Sequence, residues 1–260
     1  MKKYLITSLI CLILLSAYTL AGIGKQEEVA RLMAKADSLA SIWDHSGAVE
    51  VYLEILKIDP NNYRACWKAG DEYTEVADRL PDKEKEKKEL YFDKARKLCE
   101  RAIEINPDGW EGHFRLAVAL GRLALFRGGK EKIKLSKMIK AEADTALILN
   151  PNADLVYHVL GRWHQNLANL SGMVKFFAKV FFGGVPPGTN EEAVKMFKKA
   201  IEINPNHIEH YLELARTYKF MKRWDLMKEP LEKLLSLPDV EEDDPKFKQE
   251  AKEMLKKLNY

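Results

Sequence analysis

The sequence predicts an all-α protein: a solenoid of about five helix-turn-helix units, closed by a C-terminal capping helix. Three observations predict it. Four segments, Ala48–Pro60, Ala95–Pro107, Ile139–Pro151 and Ala193–Pro205, carry apolar residues at spacings of three and four into an Asp-Pro or Asn-Pro stop. That is the period of an amphipathic helix, and proline both ends it and pushes the residue before it out of helical geometry. After each proline a large, a small and a large residue share one helix face: Cys66/Gly70/Tyr73, His113/Ala117/Leu120, Tyr157/Gly161/His164 and Tyr211/Ala215/Tyr218. With 31% charged and 47% hydrophobic residues, 260 residues can bury a continuous core.

The elements follow in order. Met1-Lys-Lys, the apolar run Tyr4–Leu15 and the small-residue exit to Gly22 read as a secretory signal peptide over residues 1–21. The competing reading is an uncleaved membrane anchor, because the apolar stretch nearly reaches the roughly 17–20 residues a span needs. Either way the expected location is extracytoplasmic, secreted or periplasmic. Leu32, Ala36 and Leu39 then begin a helical domain over 26–258 whose first unit fits 34 residues ending at Pro60. Successive closing prolines lie 47, 44, 54 and 33 residues apart, the last being Pro238. The excess falls between the two helices of a unit, near 79–91, 125–137 and 171–190, so every insertion should emerge on one edge of the stack. Asp82–Lys88 reads as a solvated helical extension. Arg127-Gly-Gly-Lys130 lacks the first glycine and the Ser or Thr of a phosphate loop. Met227, Leu231, Leu234 and Leu237 close the last unit, and a polar-faced helix from Pro245 to Leu258 caps the stack.

The third insertion is unlike the rest. Met173-Val-Lys-Phe-Phe-Ala-Lys-Val-Phe-Phe182 is apolar nearly all round, and Gly183-Gly184 and Pro186-Pro187-Gly188 turn the chain back. A ten-residue helix spans roughly 15 Å, half a bilayer core, so it cannot cross a membrane. Burying its four Phe side chains is worth about 6–12 kcal/mol gross. Three readings compete: a core element that plugs or walls the groove, one wall of an apolar pocket for a lipid-like molecule, or a surface helix with Lys175 and Lys179 at membrane headgroups.

The two-helix pattern resembles the tetratricopeptide repeat over about residues 26–238, which implies that the solenoid is a right-handed superhelix. In such solenoids the first helix of each unit lines the concave face. The resemblance therefore implies a lining of Trp67, Asp71, Phe114, Val118, Leu155, His158, Arg162, Leu212 and Arg216. Trp67 and Asp71 replace the Lys and Asn with which chaperone-binding repeats hold a terminal carboxylate. Arg162, beside His158, is expected to hold an anionic group or to pair with a carboxylate such as Asp71. Phe177 and Phe181 of the insertion are expected to meet this lining. Leu160-Gly-Arg-Trp163, Leu170-Ser171 and Phe182-Gly183-x-x-Pro186 also resemble a signature of the regulator-of-microtubule-dynamics proteins. That implies a non-enzymatic helical repeat domain, in animals near microtubules or mitochondria. Trp163 is expected to pack, under the insertion.

No catalytic constellation or metal-ligand spacing is found, and no cofactor is expected. His158 and His164 are six apart, off a common helix face. His113 and His164 are expected to be satisfied core histidines. A net charge of +3 is too small for a nucleic-acid partner. Cys66 and Cys99 fall at facing positions of one helix pair and could form a disulfide in an oxidising compartment. The expected function is a scaffold that binds a partner protein or peptide on the concave face. The alternatives are a carrier of an apolar ligand walled by the insertion, and an accessory subunit of an uptake system.

Overall fold

The computed structural model describes residues 24–258; the signal-peptide or anchor expectation lies outside them. Among the described residues twelve α-helices follow in order, and no strand occurs. They are α1 (24–41), α2 (His45–Ile58), α3 (Tyr63–Arg79), α4 (Lys85–Ile105), α5 (Trp110–Leu123), α6 (Gly129–Leu149), α7 (Asp154–Ala168), α8 (Gly172–Phe182), α9 (Asn190–Ile203), α10 (Ile208–Phe220), α11 (Lys228–Ser236) and α12 (Asp244–Leu258). A 3₁₀ turn, Trp224–Leu226, precedes α11. Pairs α1/α2, α3/α4, α5/α6, α7/α9 and α10/α11 form five hairpins, α12 caps them, and α8 is inserted inside the fourth.

The stops act where the sequence puts them. Asp59, Asn106, Asn150 and Asn204 are the C-caps of α2, α4, α6 and α9, each followed by its proline. Inside each hairpin a small residue lets the two helices close. Ala48, Ala95, Ala143 and Ala193 are fully buried. A methyl added at Gly70 would come 2.6 Å from the Cys99 sulfur, and one at Gly161 would come 2.6 Å from the Phe197 ring. That explains why the middle residue of the large-small-large pattern must be small.

The same closeness bears on the expected disulfide. Cys99 packs against Gly70, a helical turn beyond Cys66, and both cysteines are buried free thiols. Burial pushes the Cys66 thiol up to about 11, and Cys99 is raised further, so neither offers the thiolate that oxidation needs. The disulfide expectation is corrected accordingly.

Candidate functional site

The first helices α1, α3, α5, α7 and α10 and the capping helix α12 stack side by side, and their inner faces are knitted by charge. Asp37 of α1 takes Arg64 at 2.7 Å and Lys68 at 2.9 Å. Asp71 and Asp78 of α3 take Arg115 and Arg122 of α5, each at 2.6 Å. Arg162 of α7 reaches Glu213 at 2.7 Å and Glu209 at 3.4 Å on α10. Arg216 of α10 pairs with Glu213 and, at 2.8 Å through its Nε, with Glu250 of α12. Acids precede bases at the N-terminal end and bases precede acids beyond α7. Burial pushes the Asp71 carboxyl up to about 7, against the pull of Arg115.

Several expected site residues are therefore elsewhere. Phe114, His158 and Leu212 are buried core, with Leu212 wholly inaccessible. Phe114 and Leu212 belong to the hydrophobic core, and His158 is turned into a polar cluster against His210, so none of the three lines an open apolar trough. Trp67, Val118, Leu155, Arg162 and Arg216 remain half-buried along the inner face. Arg162 does not pair with Asp71, which belongs to Arg115; its carboxylates come from α10. Three donors on this face, Trp67 Nε1, Arg115 Nε and Arg122 Nε, are buried with no acceptor among the described residues, and the acceptor Glu213 Oε2 is buried without a donor.

The insertion is a helix, α8, but it is not core. Ser171 caps its start by accepting from the Val174 N–H, and Gly183 ends it in the left-handed region at φ 77°. Lys175 Nζ donates to the Ala168 carbonyl at 2.7 Å. Only Ala178 is buried; Phe176, Phe177 and Phe181 are 63%, 50% and 66% exposed. The expectation that Phe177 and Phe181 meet the inner face fails because α8 leaves from the turn edge and leans on α6, where Phe182 touches Gly129. Trp163 packs, but against α6 rather than beneath α8: its Nε1 donates to the Ser136 carbonyl at 2.8 Å.

Sequence reasoning missed a histidine cluster between α7 and α10. His158 Nδ1 and His210 Nδ1 lie 3.0 Å apart, with the His207 ring 4.2 Å from that of His210. His210 Nε2 donates to Asp154 at 3.1 Å, and His158 Nε2 lies 3.6 Å from Glu209. Burial depresses His210 to about 4, opposed by Asp154, and also lowers His207. Despite burial, His210 draws the Asp154 carboxyl down to about 2. The clue was present: His207 and His210 sit one turn apart at the start of α10, opposite His158 one unit earlier. Among the described residues no group of three or more His, Cys, Asp or Glu is arranged to hold a metal ion. His113 is the satisfied core histidine expected, bonded to Glu142 at 2.6 Å and the Pro107 carbonyl at 2.9 Å. His164 is half-buried, its Nδ1 without a partner among the described residues.

Paired helices, small hairpin residues and inner-face ladder define a tetratricopeptide-type helical solenoid. Sequence kinship narrows the class: the family model described as regulator of microtubule dynamics protein 1-3 matches residues 32–259, and the chain belongs to that family. Regulator of microtubule dynamics protein 1 of Bos taurus is 28% identical over 232 residues, 88% of this chain and 72% of that protein. Protein 2 of Homo sapiens is 28% identical over 232 residues, 87% of this chain but 55% of that longer protein. Among solved structures, a thermophilic TPR protein of Thermus thermophilus superposes with a TM-score of 0.65 at 14% identity, over 87% of this chain and 98% of that one. MamA from Desulfovibrio magneticus RS-1 gives 0.52 at 11% identity, over 80% and 94%. At these identities the structural likeness speaks for the fold alone.

Proposed function

We propose that this chain is a non-enzymatic, exported scaffold that holds an extended segment of a partner protein along the inner face of α3, α5 and α7. The observation that carries the reading is the run of donors on that face, Trp67 Nε1, Arg115 Nε and Arg122 Nε, each buried without an acceptor among the described residues. An unpaired buried donor costs about 1–3 kcal/mol, and a peptide's carbonyl or carboxylate oxygens are the acceptors that would relieve it. Trp67, Val118 and Leu155 supply half-buried apolar contact beside them. The family and the fold support a protein-interaction role. The test is a photo-crosslinking amino acid at Val118 in the full chain, with adducts mapped by mass spectrometry. Protein adducts that Trp67→Ala weakens about tenfold are expected, the loss of one aromatic anchor. Adducts indifferent to Trp67→Ala, or none above a control probe at Glu202 on the outer helix α9, overturn the reading.

A further inference from the structure

We propose that α8 seats the turn edge of the solenoid on an anionic lipid bilayer, a function separate from the inner face. The helix is a convex ridge. Met173, Phe176, Phe177, Val180, Phe181 and Phe182 are all exposed, and the segment is held in shape by its Ser171 and Gly183 caps rather than by burial. Lysines frame it. Phe182 rests on Gly129 at the start of α6, and Lys130, Lys132, Lys134 and Lys137 follow in that helix, all exposed. Lys175 and Lys179 add two more, and none of the six forms an ion pair among the described residues. Across 127–137 and 171–190 there are seven cations and one acid, Glu131, in a chain whose net charge is only +3. Glu131 is itself taken by Arg127 at 3.0 Å.

Apolar exposure continues along the same edge. Leu125 follows α5 in the turn of the third unit, and Phe220 and Trp224 flank the turn of the fifth. The occupant follows from shape and charge. A partner helix docks into a groove, and this surface is a ridge. A second copy placed across a twofold axis would set the lysines of one ridge against those of the other. A bilayer interface accepts a short apolar helix lying flat, and anionic headgroups satisfy the lysines around it.

The experiment uses the full chain with Cys11→Ser and Val180→Cys, labelled with an environment-sensitive fluorophore; Cys66 and Cys99 are buried and unreactive. Vesicles of phosphatidylcholine with about 30 mol% phosphatidylserine should raise the emission roughly twofold, as the label enters the interface. Pure phosphatidylcholine should not, and about 0.5 M NaCl should reverse the rise. Lys130→Glu with Lys134→Glu should weaken the response roughly tenfold. The same label at Ile148→Cys, exposed on the opposite edge, should stay silent. Silence at position 180, an equal response at 148, or a rise with protein concentration in the absence of lipid, the mark of a second copy, each overturns the proposal.

Discussion

Gly161 and Gly121 are both helical glycines, and they should respond to alanine with opposite signs. At Gly161 a methyl group meets the Phe197 ring at 2.6–2.9 Å on three atoms, and Phe197 is fully buried and cannot retreat. Overpacking of this kind costs about 1–3 kcal/mol. At Gly121 nothing lies within 4 Å, so alanine should gain about 0.5–1 kcal/mol from helix propensity alone. Urea unfolding midpoints of the two variants check both signs; equal shifts would show that hairpin closeness is not what fixes Gly161. This much was legible in the sequence, because a small residue between two large ones is a local pattern. What was not legible is where the neighbouring polar groups find partners. Arg162 was readable as facing inward, but Glu213 lies 51 residues away, and no local spacing announces that the two will meet at 2.7 Å.

Between elements, the α7–α10 contact carries a pH dependence whose sign can be worked out. Burial depresses His207 and His210, the latter to about 4, below the usual value near 6.5. The unfolded chain therefore binds more protons than the folded one between about pH 6.5 and 4, and stability rises with pH across that window. Their contribution is complete above pH 6.5 and is lost as pH falls toward 4. For His210 alone the loss is on the order of 2–3 kcal/mol. His210→Phe should flatten the thermal-denaturation profile between pH 4 and 6.5, and an unchanged slope would remove the cluster from the account. The element scale is also where sequence reading divided. The bounds of α8 and its Gly183 stop were readable from propensity and capping. Its destination was not, since an apolar helix is compatible with burial by its own chain or by something outside it. Composition fixes the appetite of such a helix, and only the length and direction of the connecting turn decide which surface it reaches. The three residues after α7 leave from the turn edge, on the side of α6.

Across the whole molecule, the ends of the solenoid meet. His45, at the start of α2, bonds Glu72 at 2.7 Å and Glu242 at 3.2 Å, while Arg79 at the end of α3 also takes Glu242 and reaches Asp243 at 4.0 Å. Residues 197 apart in sequence are thus joined through the acidic loop that precedes the capping helix. The repeat pattern foresaw the stack and could not foresee this join, because each unit fixes only its nearest neighbour. Burial lowers His45 but the carboxylates of Glu72 and Glu242 outweigh it, so its value is raised. Its contribution is therefore full below pH 6.5 and disappears as pH rises through the raised value, the reverse of the α7–α10 cluster. Partly exposed pairs of this kind hold about 0–1 kcal/mol each. They are too weak to fold the chain, yet enough to bias how often its two ends stay together. Glu242→Lys places a cation against Arg79 and His45 and should part them. Small-angle scattering should then show a radius of gyration larger by about 1–2 Å, on the scale of roughly 18 Å for a compact chain of this size. Circular dichroism should be unchanged, since no helix depends on the join. The same variant should leave the solenoid intact and its rim open. Scattering identical to that of the parent would mean the ends are held by helix packing alone.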